Sequence, residues 1–441
     1  MKKVGQLLCA ISLVFFFLLA TGCTRLSTVG GTVGGSSGTS SSGGGTGGGT
    51  SGAGSGGSGS GSGSGTGGGT PTSAELFGIS TNASSQFGVA VGTGGTILQS
   101  TSTGSSSSAN FPIWTLVTSP TPNTLRSVSF DTNSVTGSLA NVLAVGDGGV
   151  ILENTSSGGN LPSPWLLGSS TGGFTVSDPG CAGTNASNFT PTLFGAAVFT
   201  NSNEQAVVVG GPFTDSCATT KGVIAVATSS AGVTPYNGFQ LVDAFGVTPF
   251  PAVSFRGVSY AQRAAGSAFV VVVGDFGNIF IGTVATGLRN AAAWATNTRS
   301  DGATPQLNGV AIAQDNANAI AVGNSGAIYV NSNIGSTTVW TRLAIPGGIP
   351  ASNYTGVHFT TGSSLTAVVV GGSATQILVI GNCCNGASTV TNVTPTISGL
   401  GALDATWGGI GPSAGLEVAS GVGGFILESD NGGSPTWVRD H

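Results

Sequence analysis

Few side chains in this sequence are equipped for covalent chemistry. There are six cysteines, four tyrosines (Tyr236, Tyr260, Tyr329 and Tyr354) and only two histidines, His358 and His441. With so few histidines, no Ser-His-Asp set is credible, and no pair of carboxylates stands out for acid–base work. Cys383 and Cys384 are adjacent but have no histidine near them in sequence, which disfavours a metal site. The expectation is therefore a chain with no catalytic residues, no metal and no cofactor. Charged residues make up 6% of the chain, and its 11 Lys and Arg residues are spread singly. No basic stripe is available to track phosphates, so nucleic acid is not an expected partner.

Side chains suited to recognition rather than reaction recur at fixed places, and those places follow from a repeat. The segments FGVAVGTGGTILQS (87–100), NVLAVGDGGVILEN (141–154), FVVVVGDFGNIFIG (269–282) and AIAVGNSGAIYVNS (319–332) share a frame. An apolar run ends in Gly, a short turn follows, and a second β-branched run comes next. The frame glycines are Gly92, Gly146, Gly210, Gly274, Gly323, Gly371 and Gly421. Upstream of each lies a strand such as LFGIS (76–80), LRSVSF (125–130) or FRGVSY (255–260), and a Trp in a short strand often follows. Apolar runs bounded by Gly, Asn, Asp and Ser predict strands and tight hairpins.

Four antiparallel strands per unit, repeated seven times, predict an all-β chain folded as a seven-bladed β-propeller of four-stranded blades. Sandwiching each blade between two others explains runs such as AVVVG and FVVVVG, which are apolar throughout. If the strands of a blade are A to D in order, the B–C turns and D–A links share one face. The second position of strand A then gives Phe77, Arg126, Phe194, Arg256, Asn308, Thr355 and Asp404, a ring at the channel entrance. Asp147, Asp275 and Asn324 follow the strand-B glycine on the same face, where they serve either a ligand or the turn itself. Longer segments at 155–192, 211–221 and 229–253 are expected there too, which makes this face the candidate binding surface. Cys181, in a D–A link, and Cys217, in a B–C turn, fall on that face and are expected to form a disulfide. Cys383 and Cys384 lie in a C–D turn on the opposite face, as a vicinal bridge or as two free thiols.

The closing stretch SGVGGFILESDNGGSPTW (420–437) resembles Asp-box (BNR-type) repeats, in the form found in photosystem II assembly factors and their bacterial relatives. The match runs through Gly421, Gly424, Ile426, Ser429, Asp430, Gly433 and Trp437, and more weakly through Gly323, Gly326, Ile328, Ser332, Gly335 and Trp340. The resemblance implies a propeller and a basic patch that takes part in partner binding. Only Arg126 and Arg256 stand for that patch, unless they are solvated or paired with aspartates. Asp-boxes also occur in sialidase-type glycoside hydrolases, the alternative reading. That chemistry requires clustered arginines, a Tyr nucleophile, a Glu partner and an acid.

The N-terminus reads MKKVGQLLCAISLVFFFLLATGC. Lys2 and Lys3 precede an apolar run, the layout of a signal peptide, and Ala20-Thr21-Gly22-Cys23 resembles a bacterial lipobox. Residues 1–22 are expected to be a lipoprotein signal peptide, with Cys23 acylated and the chain held on a membrane by its lipid. Residues 27–72 are almost entirely Gly, Ser and Thr, a composition that cannot order a backbone, and span roughly 35–40 Å, so that 23–72 form the lipidated Cys and a flexible tether. Thr24, not Asp, follows the Cys, and the resemblance to enteric lipoproteins then implies the outer membrane of a bacterial cell envelope. The propeller occupies 73–441. The reading is thus a non-catalytic lipoprotein that binds a protein or a glycan.

Overall fold

The computed structural model describes residues 72–81, 87–101, 114–130, 141–155, 165–167, 176–178, 189–199, 204–215, 217–228, 238–242, 250–260, 269–360, 365–372, 375–408, 417–429 and 437–439. Cys23, Cys181 and Asp430 lie outside them. Among the described residues no helix is long and apolar enough to cross a membrane.

The architecture is all-β. Strands β1 (Leu76–Thr81), β2 (Phe87–Gly92), β3 (Ile97–Thr101) and β4 (Trp114–Val117) form an antiparallel sheet in that order, as do β5 (Leu125–Phe130), β6 (Asn141–Gly146), β7 (Ile151–Thr155) and β8 (Leu166–Leu167). After β9 (Val176–Ser177) come β10 (Leu193–Val198), β11 (Glu204–Thr214), β12 (Thr220–Thr228) and β13 (Phe239–Leu241), with β9 added in parallel to the outer edge of β13. Next are β14 (Phe255–Tyr260), β15 (Phe269–Gly274), β16 (Ile279–Thr283) and β17 (Trp294–Arg299), followed by β18 (Leu307–Ile312), β19 (Ala319–Gly323), β20 (Ala327–Asn331) and β21 (Val339–Arg342). These two sets merge into one sheet because β17 and β21 pair in parallel at Thr298–Val339 and Arg299–Trp340. Two more antiparallel sheets follow: β22 (Tyr354–Phe359), β23 (Ala367–Gly371), β24 (Gln376–Gly381) and β25 (Thr389–Asn392), then β26 (Leu403–Gly408), β27 (Glu417–Gly421), β28 (Ile426–Ser429) and β29 (Val438–Arg439).

The first strands of these sets contact one another in the cyclic order β1, β5, β10, β14, β18, β22, β26 and back to β1. They line a common channel. Successive residues of a second strand point into different cores. Val207 and Val209 pack towards the β14 sheet, while Val208 packs towards the β5 sheet. Both faces of each sheet are therefore buried, so apolar runs replace the apolar–polar alternation of a one-faced sheet. Small residues make room for the tryptophans: a Cβ on Gly88 would stand 2.7 Å from the Trp114 ring.

Hydroxyl side chains tie neighbouring first strands together. Ser127 accepts from the Ala196 N–H, Ser129 from Val198 and Ser259 from Ile312, at 3.3, 3.1 and 3.2 Å. They satisfy donors on strand edges that have no ladder partner.

One expectation about the connections changes. Segment 211–221 extends the β11–β12 hairpin, with Phe213 opposite Lys221. Segment 229–253 contains β13, so its first part joins β12 to β13 at the end away from the β11–β12 turn, and it is not a single insertion on one face. This departure arises because a three-residue strand such as β13 leaves little periodicity to read. At the hairpin end, Lys221 is buried with its Nζ 3.3 Å from Asp178 and 3.1 Å from Asp215. Cys217 is disulfide-bonded. Cys383 and Cys384 form a vicinal disulfide, buried against the β18–β21 set, where Cys384 Sγ meets the Ala319 carbonyl at 3.4 Å.

Candidate functional site

One backbone device builds the channel mouth. In every first strand the register shifts between its first and third residues: Leu76/Gly78, Leu125/Ser127, Leu193/Gly195, Phe255/Gly257, Leu307/Gly309, Tyr354/Gly356 and Leu403/Ala405. The second residue is thus an extra one, outside the ladder. A bulge of this kind re-aims its side chain, and here the target is the channel. The residues so placed are Phe77, Arg126, Phe194, Arg256, Asn308, Thr355 and Asp404, which together line the mouth.

The frame glycine sits opposite the first residue of each bulged strand, as Gly92 opposite Leu76. A Cβ on Gly92 would lie 2.0 Å from the Glu75 carbonyl oxygen, and one on Gly146 would lie 2.0 Å from that of Thr124. The residue after the glycine donates its N–H to that same carbonyl: Thr93 to Glu75 at 3.0 Å, Asp147 to Thr124 at 2.9 Å and Asp275 to Ser254 at 2.9 Å. Only glycine permits this close approach. It also sets the post-glycine side chain beside the bulged one.

Pairing follows from that placement. Asp147 accepts from Arg126 Nε at 2.6 Å and from Nη2 at 3.0 Å, a bidentate contact. Asp275 accepts from Arg256 Nε at 2.6 Å. Asn324 accepts from Asn308 Nδ2 at 2.9 Å. The side chains of these three residues are paired within the mouth, a role that neither reading of the sequence named. Phe194 stands between two guanidinium groups, 5.5 Å from Arg126 and 5.0 Å from Arg256, and Phe77 lies 5.4 Å from Arg126. Each such contact is worth about 0.5–1 kcal/mol at partly exposed sites. The result is a ladder of alternating rings and guanidinium planes along one side of the mouth. On another side is an amide cluster, in which Gln306 donates to Asn308 at 2.7 Å and the Ser325 N–H donates to Asn353 at 3.0 Å.

Asp404 differs. Its Oδ2 is buried and receives no hydrogen bond. Burial, then the charge of Glu75, pushes its carboxyl up to about 7. Deeper in the channel, burial lowers His358 to about 3, and its Nδ1 lies 3.1 Å from the Thr406 hydroxyl. That hydroxyl also lies 3.1 Å from the Val418 carbonyl, to which it can donate.

Among the described tyrosines, Tyr329 donates to Asp301 away from the mouth, and Tyr354 is fully buried. Tyr260 stacks on Phe199 with centroids 4.1 Å apart. Among the described residues, no three His, Cys, Asp or Glu side chains are grouped to hold a metal. The residues that the sequence did not single out are Glu75, Gln306 and Asn353, each immediately preceding a bulged strand, together with Val422, which follows the frame glycine Gly421. The available signal was their fixed offset from the strand start.

The sequence matches no family model and no curated protein. Solved structures share its fold. "YCF48 bound to D1 peptide" aligns with a TM-score of 0.50 and 15% identity over 81% of this chain and 94% of that one. YCF48 from Cyanidioschyzon merolae aligns with a TM-score of 0.50 and 17% identity over 81% of this chain and 96% of that one. The chain is a β-propeller similar in structure to these photosystem II assembly factors. At such identities the likeness speaks for the fold.

Proposed function

We propose that this chain is a non-catalytic lipoprotein, anchored through Cys23 at the outer membrane of a bacterial envelope. On a flexible tether (23–72) it displays a seven-bladed propeller (73–441) that binds a protein partner as an assembly module. The observation that carries the reading is the convergence of the bulged side chains of every inner strand on one mouth. A bulge repeated around the ring costs ladder hydrogen bonds, and its common product is a set of side chains aimed at one point. Arg and Phe are enriched in protein interfaces, and here they stand pre-stacked on one another. The YCF48 structure with D1 peptide, a propeller of the same fold, favours a polypeptide over a glycan as the occupant. For the hydrolase alternative, Tyr329 is engaged with Asp301, Tyr354 is fully buried and Tyr260 is stacked on Phe199, so none of the three is presented as a nucleophile.

The test is chemical cross-linking of the full-length chain in native envelopes, with captured proteins identified by mass spectrometry. A specific partner is expected with the wild type and lost with the Arg126→Ala/Phe194→Ala variant. Retention of the same partner by that variant, with the ring still folded, overturns the mouth as the site. Cys23→Ala is expected to abolish acyl labelling and release the chain from the membrane fraction.

A further inference from the structure

The mouth carries its own internal control. Three of its bulged residues are charged: Arg126, Arg256 and Asp404. Two of them receive an opposite charge from the post-glycine residue of their own sheet, Asp147 and Asp275. In the β26 sheet that position is Val422, whose N–H donates to the Ala402 carbonyl at 3.0 Å just as the aspartates' N–H groups do in theirs. Val422 cannot neutralise Asp404. It is instead 39% exposed, one of the few large apolar side chains left open among the described residues. No ion pair forms at Asp404 among the described residues, and after burial the influence that raises it is the charge of Glu75, which is of the same sign.

The basic patch implied by the family resemblance is therefore cancelled within the mouth. The uncompensated charge there is negative, in one sector, beside an exposed apolar surface. We propose that the β26 sector of the mouth receives a lysine side chain of the protein partner, its ammonium on Asp404 and its methylene stem along Val422. This rests on the mouth being the partner-binding site. A lysine joins a compact cation to an apolar stem, and this sector presents both complements. Arg126 and Arg256 remain stacked and paired, as a platform for the backbone around that lysine.

The other titratable groups near Asp404 leave the assignment intact. Glu75, ahead of β1, adds negative charge. His358 on β22 is kept neutral by burial. The two Arg–Asp pairs across the mouth are internally neutral.

The experiment is saturation-transfer NMR on the full-length chain in detergent micelles. The probes are the peptide Ac-Gly-Gly-Lys-Gly-Gly-NH2, its Nε-acetyl-lysine form, and spermidine as a free polyamine. The lysine peptide is expected to bind about tenfold more tightly at pH 8 than at pH 6, because Asp404 ionises near pH 7. Acetylation is expected to weaken it by at least about tenfold, the scale of losing one desolvated charge contact. Asp404→Asn should remove both the affinity and its pH dependence. Val422→Lys supplies an internal ammonium at an exposed position and should compete the peptide out while leaving the fold intact. No binding at pH 8, binding indifferent to Asp404→Asn, or spermidine binding more than about tenfold tighter than the peptide would each overturn the proposal. If the peptide fails while Arg126→Ala/Phe194→Ala still loses the cross-linked partner, the cation assignment falls and the mouth stands. If neither effect is seen, both fall.

Discussion

Two junctions of the ring use the same backbone frame with very different contents. Between the β10 and β14 sheets the core is aromatic. Phe250 meets Phe255, Phe280 and Trp294 edge-on at 5.9, 5.0 and 6.2 Å, and Phe255 meets Phe280 at 5.6 Å. Between the β26 and β1 sheets, where the ring closes, the core is Leu76, Ile79, Ala90, Leu98, Trp114, Val418 and Ile426. A polar group is buried alongside: Ser420 is fully enclosed and reaches the Leu76 carbonyl at 3.5 Å. Aromatic pairs add about 0.5–1.5 kcal/mol each beyond the area they bury. Among the described residues, apolar side chains are spread unevenly around the ring, and the sector bearing Asp404 holds the fewer aromatic ones. Binding regions are commonly drawn from the less stable parts of a fold.

The largest effect tests that contrast directly. Phe255→Ala should lower stability by about 3–5 kcal/mol, whereas Ile79→Ala at the closing junction should cost about 2–3 kcal/mol. Both are read as shifts in urea midpoint at unchanged slope. Equal losses at the two sites would break the comparison.

A medium effect is expected from pH, and its direction differs by region. In the folded ring Asp404 is raised to about 7, by burial first and Glu75 second. Its contribution is fully present below the unfolded value near 3.8 and is lost as pH climbs towards and through 7. Asp215 behaves oppositely. Burial opposes its charge, but N–H bonds from Thr219 and Cys217 and the Lys221 ammonium outweigh burial and hold it below its ordinary value. Its contribution is present at neutral pH and disappears on acidification. Thermal melts from pH 4 to 8 should therefore fall more steeply for the wild type than for Asp404→Asn, with the variant gaining relative stability above pH 7. Parallel curves would remove the strain assigned to this sector.

How far the sequence revealed this molecule depends on which facts were local. The strands and the seven frame glycines were legible because the pattern recurs in each unit, from Gly92 to Gly421. The bulged positions were legible as a ring, from Phe77 to Asp404, because strand polarity places them at one end. The pairing of Arg126 with Asp147 was legible only as an open reading of the arginines, with no partner named, although it repeats as Arg256 with Asp275 and Asn308 with Asn324. It depends on an extra residue in the ladder that no composition rule announces. Segment 229–253 was misread because β13 holds only Phe239–Leu241. The vicinal pairing of Cys383 with Cys384 was one of two open readings, since adjacency permits a bridge without requiring it.

The smallest expected effect concerns a residue that the fold does not need. In the turn after β15, Phe276 takes φ 56° and is 65% exposed. The equivalent residues are Gly94 and Gly148 in two other sheets, at φ 64° and 70°, and Ser325 in a third, at 57°. A left-handed conformation costs a residue with a Cβ about 1–2 kcal/mol, and an aromatic this exposed recovers little of that by packing. Phe276→Gly removes the strain but loosens the unfolded chain by about 0.4–1 kcal/mol. The net expected change is a gain of about 0.5 kcal/mol, or a rise in Tm of about 1 °C. Phe276 stands beside Asp275, on the face that carries the mouth. If it contacts the partner there, the substitution that stabilises the ring will weaken cross-linking to that partner, and a purely structural residue would move both readouts the same way.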